Sequence, residues 1–274
     1  MSKILIWGIY DLFKGGIVRS ILNGNELSDT AAATVIGVGF LLCILIPYLL
    51  GSINWALVIS KLVFHDDVRR YGSGNAGTTN VLRTFGRKAG IMTFVGDALK
   101  GSFSVLFACV VFGYPAEEPN YLFLITAAYM AAFFCIFGHV FPCFAHFKGG
   151  KGFATLAGVV LVLNPAIFLI LFSLYAALVL MTHYISLSSI VDALLFPFIL
   201  STFDTAFAPI PRGINVVFAL MMGFLITWCH RSNIKRLWEG TERKFYVFGQ
   251  KKAAPQKEAL AQEPTAAESE QDDD

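Results

Sequence analysis

Residues 33–60 read Ala-Thr-Val-Ile-Gly-Val-Gly-Phe-Leu-Leu-Cys-Ile-Leu-Ile-Pro-Tyr-Leu-Leu-Gly-Ser-Ile-Asn-Trp-Ala-Leu-Val-Ile-Ser, a run without a single charge. A helix needs about 20 apolar residues to cross about 30 Å of hydrocarbon, so this run alone is long enough to span a bilayer. Further apolar stretches follow near 89–112, 121–141, 153–163, 166–182, 190–203 and 214–230. The chain is 56% hydrophobic, 14% aromatic and only 15% charged, with a mean hydropathy of +0.64. These values lie outside the range of soluble domains and predict an all-α polytopic membrane protein with about seven transmembrane helices, the fourth short. Asn164-Pro165 also permits the fourth and fifth to be one long helix broken at the proline, which removes a helical hydrogen bond.

Orientation follows from the basic residues, because positively charged loops stay in the cytoplasm. The segments 61–88, 146–151 and 231–252 hold 15 of the 21 Lys and Arg. The opposite connections are nearly bare of them, and Gly-Tyr-Pro-Ala-Glu-Glu-Pro-Asn at 113–120 is acidic. This predicts an outside N-terminus and a cytoplasmic C-terminus. It also places every glycine-rich loop on the cytoplasmic face.

The chain divides into residues 1–30, 31–248 and 249–274. Residues 3–22 set Ile, Leu, Trp and Phe among Lys3, Asp11, Lys14 and Arg19 in a helical rhythm, as in an amphipathic helix lying in the interface. Asp11 interrupts the apolar run and no small-residue cleavage site follows, which argues against a signal peptide. Residues 31–248 form the membrane-integral unit. The segment 249–274, rich in Ala, Gln, Glu and Lys and closing with three aspartates, is too polar to bury a core and reads as a disordered cytoplasmic tail. Cys43, Cys109, Cys135, Cys143 and Cys229 are odd in number and lack paired spacing, so they imply neither a disulfide framework nor a thiolate zinc site.

Chemistry concentrates in the loops. Residues 67–83 read Asp-Val-Arg-Arg-Tyr-Gly-Ser-Gly-Asn-Ala-Gly-Thr-Thr-Asn-Val-Leu-Arg. Backbone N–H groups freed by Gly72, Gly74 and Gly77, with the hydroxyls of Ser73, Thr78 and Thr79, suit a phosphate. The nucleotide-binding P-loop is a different pattern, since Thr78 and not Lys follows Gly77. Gly138-His139-Val140-Phe141-Pro142 leads into Phe147-Lys148-Gly149-Gly150-Lys151-Gly152, where a glycine turn flanked by lysines opens a helix, a good anion site. A membrane-edge turn with snorkelling lysines uses the same residues. Tyr184–Ser189 and His230-Arg231-Ser232-Asn233 complete the polar face, with His230 and Asn233 three apart on one side of a helix. Asp97 and Lys100, also three apart, lie inside a span, where ionisable groups are expensive and point to function.

Gly51-Ser52-Ile53, the 67–83 run, Gly-His-Val-Phe-Pro through Phe-Lys-Gly-Gly-Lys-Gly-Phe-Ala-Thr, and His-Arg-Ser-Asn-Ile-Lys-Arg together resemble, in order and spacing, the bacterial acyl-phosphate-dependent glycerol-3-phosphate acyltransferases. The resemblance covers roughly residues 40–245. It implies a seven-helix fold in the bacterial inner membrane, a cytoplasmic-facing site, and formation of lysophosphatidic acid at the first acylation of phospholipid synthesis. It implies acyl phosphate and glycerol 3-phosphate as substrates amid membrane lipid, with no cofactor, metal or nucleic acid. By the same resemblance the catalytic group is Ser73, Arg83, Lys151, His230 and Asn233. Substrate is held by Gly72, Gly74, Asn75, Gly77, Thr79 and Asn80 around phosphate, and by Lys148, Gly149, Gly150, Gly152 and Ser189. The chain departs from the family at Asn54, where proline or a small polar residue is usual, in a long loop around Pro209 and Pro211, and in its extra ends.

An acyl phosphate carries its own leaving group, so the protein has to neutralise phosphate, align the sn-1 hydroxyl and exclude water. Charge-assisted contacts are roughly twice as strong as neutral ones, which makes Arg83 and Lys151 the most sensitive positions. The hydroxyl proton goes either to His230 or to a phosphate oxygen of the donor, and the substrate-assisted route, with His230 positioning the acceptor, is the preferred reading. Acyltransferases that separate His from Asp by four residues would need aspartate at 70, 144, 151, 188 or 235, which hold Arg70, Phe144, Lys151, Ser188 and Lys235. Metal-dependent headgroup transferases need clustered carboxylates, whereas the only adjacent aspartates outside the tail are Asp66 and Asp67. A transporter for an organic phosphate is the alternative of a different class, but it would place its site nearer the midplane with a repeat between halves.

Overall fold

The computed structural model describes residues 15–24, 27–113, 120–207 and 213–246, and all regular structure among them is helical. The helices are α1 (Ile17–Gly24), α2 (Asp29–Ser52), α3 (Trp55–Phe64), α4 (Thr78–Phe85), α5 (Arg87–Phe112), α6 (Asn120–Val140), α7 (Phe153–Leu163), α8 (Pro165–Thr182), α9 (Ile185–Phe207), α10 (Gly213–Cys229) and α11 (Arg231–Trp238). All seven apolar segments are therefore helical. Among the described residues five stretches are long and apolar enough to cross a membrane, and a sixth joins them if α10 and α11, bent by 57° at His230, are taken as one span. Helix α7, at 11 residues, reaches only about 16 Å, half of the hydrocarbon thickness.

The first apolar segment is two helices, α2 and α3. Ile53 and Asn54 are extended, and Asn54 restarts the helix by accepting the Leu57 N–H at 3.0 Å on Oδ1. Its Nδ2 donates to the Ala76 carbonyl at 3.1 Å, so Asn54 ties the first glycine-rich loop to the break. At Asn164 the chain likewise starts a new helix. Asn164 Oδ1 accepts from Ala166 and Ile167, and Pro165 occupies the first turn, where its missing N–H costs nothing.

Small residues set the closest crossings. A Cβ on Gly158 of α7 would strike the backbone of Ala98 in α5, and one on Gly138 of α6 would strike that of Tyr48 in α2. In a bilayer, tight backbone approach supplies the dispersion contacts that water-driven burial cannot. Ser102 adds a 2.9 Å hydrogen bond to the Gly158 carbonyl across the first crossing. Behind them Leu124, Ile136, Phe196, Met222 and Ile226 fill the core, whereas Leu169, Met181, Phe198 and Phe224 stand exposed as a lipid-facing surface.

At the end opposite the glycine-rich loops, Val18 of α1 packs against Gly39 of α2 and Phe112 of α5. Residues 1–14 of the expected interfacial segment, the connection at 114–119, the loop around Pro209 and Pro211, and the tail 249–274 lie outside the described residues.

Candidate active site

The loop before α4 is shaped by its own side chains. Asp67 accepts the Arg69 N–H at 3.0 Å and pairs with the Arg69 guanidinium at 2.6 Å, and this hydrogen bond holds the Asp67 carboxyl below the usual range. Asn80 pins the loop from beneath. Its Oδ1 accepts from Ser73 N at 3.2 Å, and its Nδ2 donates to the carbonyls of Val68 (3.0 Å) and Tyr71 (2.9 Å). Gly77 then caps α4 without any side-chain hydrogen bond, and the helix ladder begins only with Asn80 N and Val81 N on the Gly77 carbonyl. The N–H groups of Thr78 and Thr79 precede the ladder and take no helical partner.

The second loop repeats this arrangement. Gly149 N and Gly150 N donate back to the carbonyls of Val140 (3.2 Å) and His139 (3.1 Å), which turns the chain into α7. Gly152, at φ +85° where only glycine is unstrained, caps α7 with no side-chain bond, and the first ladder bond is Leu156 N to Gly152 O. The N–H groups of Phe153 and Ala154 are again open.

The C-terminal wall is organised by Glu242. Its carboxylate accepts from Ser186 Oγ (2.8 Å), Asn233 Nδ2 (2.7 Å) and Arg236 Nε (2.7 Å). Burial alone would raise this carboxyl, but the three donors outweigh burial and hold it lowered. Lys151 Nζ donates to the other end of the Asn233 amide, which joins the second loop to this wall. Burial pushes the Lys151 amine down to about 8, with Arg236 adding to the effect and Glu242 opposing it. His230, at the bend between α10 and α11, bonds through Nδ1 to the Ile226 carbonyl at 2.8 Å. A carbonyl only accepts, so Nδ1 carries the proton, and Nε2 of the neutral ring is an acceptor.

These walls enclose a cavity of about 240 Å³. Gly72, Ser73, Asn75, Gly77, Thr79, Asn80, Arg83, Lys151, Gly152, Ser189, His230 and Asn233, from four separate segments of sequence, all line it. Asn80 lines it as the pin of the loop, its hydrogen-bonding capacity spent on backbone. Gly74, Lys148, Gly149 and Gly150 are not in the lining: Gly74 turns the first loop at φ +69°, Gly149 and Gly150 seat the second against α6, and Lys148 is exposed. Ser186, Arg236, Glu242 and Arg243 line the cavity without having been assigned from sequence. Arg236 had a usable signal, three residues beyond Asn233 on the same helical face. Arg243, whose carbonyl accepts from Arg83 Nη2 at 3.1 Å, and Glu242 follow the helix and had none.

The glycerol-3-phosphate acyltransferase family model matches residues 41–240. The glycerol-3-phosphate acyltransferase of Clostridioides difficile (strain 630) is 38% identical over 216 residues, 78% of this chain and 97% of that protein. The one from Streptococcus thermophilus (strain CNRZ 1066) is 40% identical over 203 residues, 72% and 89% respectively. Among solved structures, PlsY (YgiH), an integral membrane glycerol 3-phosphate acyltransferase crystallised in its glycerol 3-phosphate form, superposes with a TM-score of 0.65 at 35% identity, covering 76% of this chain and 96% of that one.

Proposed function

The chain belongs to the glycerol-3-phosphate acyltransferase family, and from that premise we propose that it transfers a fatty acyl group from acyl phosphate to the sn-1 hydroxyl of glycerol 3-phosphate, giving lysophosphatidic acid and phosphate. One observation carries the choice of donor. Two helices, α4 and α7, begin at uncapped glycines on the same small cavity, each offering free N–H groups with a cation near them. Each start is an anion site. A single phosphate-bearing acceptor needs only one. An acyl phosphate brings the second phosphate directly beside its reacting carbonyl, whereas a thioester carries none there.

In this reading Arg83 and Lys151 are the principal cations, with Arg236 and Arg243 behind them. The acceptor oxygen attacks the acyl carbonyl carbon, the bond from that carbon to the phosphate oxygen breaks, and the hydroxyl proton leaves with the released phosphate. His230 Nε2 accepts a hydrogen bond from the acceptor and orients it, while Asn233, held by Glu242, aims Lys151. The acyl chain enters from the lipid, and the basic rim faces the cytoplasmic side of the inner membrane, as the distribution of Lys and Arg implies.

The test is acyl transfer by purified protein in lipidic medium, with acyl phosphate, acyl coenzyme A and acyl carrier protein compared as donors and Arg83→Ala as the control. Product from acyl phosphate alone, lost in the variant, is expected. Equal rates from a thioester would overturn the choice of donor.

A further inference from the structure

We propose that Asp97, Lys100 and His139 are positioning residues that hold the two helix-start loops at a fixed separation, an inference resting on the two-phosphate reading above. All three are buried inside spans, at 1%, 5% and 3% exposure. Stability alone does not explain them, since buried ion pairs are commonly replaceable by apolar groups without loss.

Lys100 Nζ lies 2.7 Å from Ile53 O, 2.9 Å from Gly51 O, 2.9 Å from His139 Nδ1 and 2.9 Å from Asp97 Oδ1. An ammonium only donates and has three N–H groups for these four neighbours, and Asp97 Oδ1 also lies 3.4 Å from His139 Nδ1, so the lysine, the carboxylate and the ring form one shared network. The two carbonyls belong to the α2–α3 break, where the helix no longer satisfies them. Lys100 therefore fixes both the break and the ring, and Asp97 balances its charge.

Each of these leads to one loop. The break continues into Asn54, whose Nδ2 holds the Ala76 carbonyl, one residue before the cap of α4. His139 holds Gly150 N through its own carbonyl, two residues before the cap of α7. The two lines then meet. A Cβ on Gly150 would collide with His139 Nε2 and come within 2.8 Å of Ala76 O, so both loops and the ring share one contact point. A shift of either loop changes the distance between the two phosphate positions, and misplacement of about 1 Å costs about 100-fold in rate.

The experiment is the Asp97→Asn/Lys100→Met double variant, which removes both charges while keeping side-chain volume, beside Gly150→Ala, which wedges the contact point without touching the charges. Each is compared with wild type by thermal melting in detergent, by steady-state kinetics for both substrates, and by calorimetric titration of glycerol 3-phosphate. For the double variant we expect a lowered melting temperature, since the Gly51 and Ile53 carbonyls lose their donor, together with raised KM for both substrates and kcat/KM reduced about 100-fold in the folded protein. Gly150→Ala should give the same kinetic pattern, and it decides the matter if the double variant does not fold. Wild-type KM values in the folded variants, or a fall in kcat alone, would overturn the proposal. If wild-type protein makes no product from acyl phosphate, the donor reading fails separately, and glycerol 3-phosphate affinity still reports on the three residues.

Discussion

Glu242 Oε1 accepts a 2.7 Å hydrogen bond from Asn233 Nδ2, and this contact decides which way the Asn233 amide faces. With its nitrogen on the carboxylate, its oxygen meets the Lys151 ammonium. Turned over, it would set donor against donor and acceptor against acceptor. Glu242 thus acts through a neighbour to aim a lysine.

Glu242→Gln should raise KM for glycerol 3-phosphate about tenfold, a loss of about 1.4 kcal/mol in binding, because one of the two acceptor oxygens becomes a donor and Asn233 loses its fixed orientation. Steady-state kinetics with the acceptor varied checks this. Unchanged KM would show that Lys151 is aimed by something else.

Lys151 should impose an alkaline limit. With its amine pushed down to about 8 by burial, it is charged below that pH and neutral above it. The phosphate contact proposed for it is therefore available below about pH 8 and lost as pH rises through that value. In kcat/KM for glycerol 3-phosphate, which reports the free enzyme, a decline should begin there. Lys151→Arg keeps its charge across the range and should remove the decline, whatever its absolute rate.

His230→Ala should raise acceptor KM and lower kcat together, by about tenfold or more each, since the positioning hydrogen bond holds the acceptor in the ground state and is stronger in the transition state. Direct titration of glycerol 3-phosphate separates the two effects. Full affinity with abolished turnover would make the ring the proton acceptor instead.

Gly158→Ala tests the fold beneath the site. In an exposed helix this change gains about 1 kcal/mol. Here the new Cβ would meet the Ala98 backbone, so the melting temperature in detergent should fall, and a rise would show that α5 and α7 separate without cost.

The helical segments were legible because a bilayer demands long uncharged runs, and every apolar segment from 33–60 to 214–230 is helical. The break at Ile53–Asn54 was not, because Asn54 sits inside a run without a single charge, and the freed Ile53 carbonyl finds its partner in Lys100, 47 residues on. Gly152 could be read as a helix start from local turn chemistry, whereas 67–83 read as one loop and its second half belongs to the helix α4, Thr78–Phe85. That Asn80 turns inward as a pin, that Lys148 stays outside while Lys151 enters, and that Glu242 closes the wall depend on long-range contacts.

The sequence by itself determined a multi-pass helical protein, its family and the two glycine-rich loops, since apolar length, charge bias and turn residues act over a few neighbours. Only the tertiary structure decided which polar side chains face the cavity and which are spent on holding it. A hydrogen bond such as Arg83 to the Arg243 carbonyl joins residues 160 positions apart, and no local pattern encodes the direction in which a side chain finds its partner.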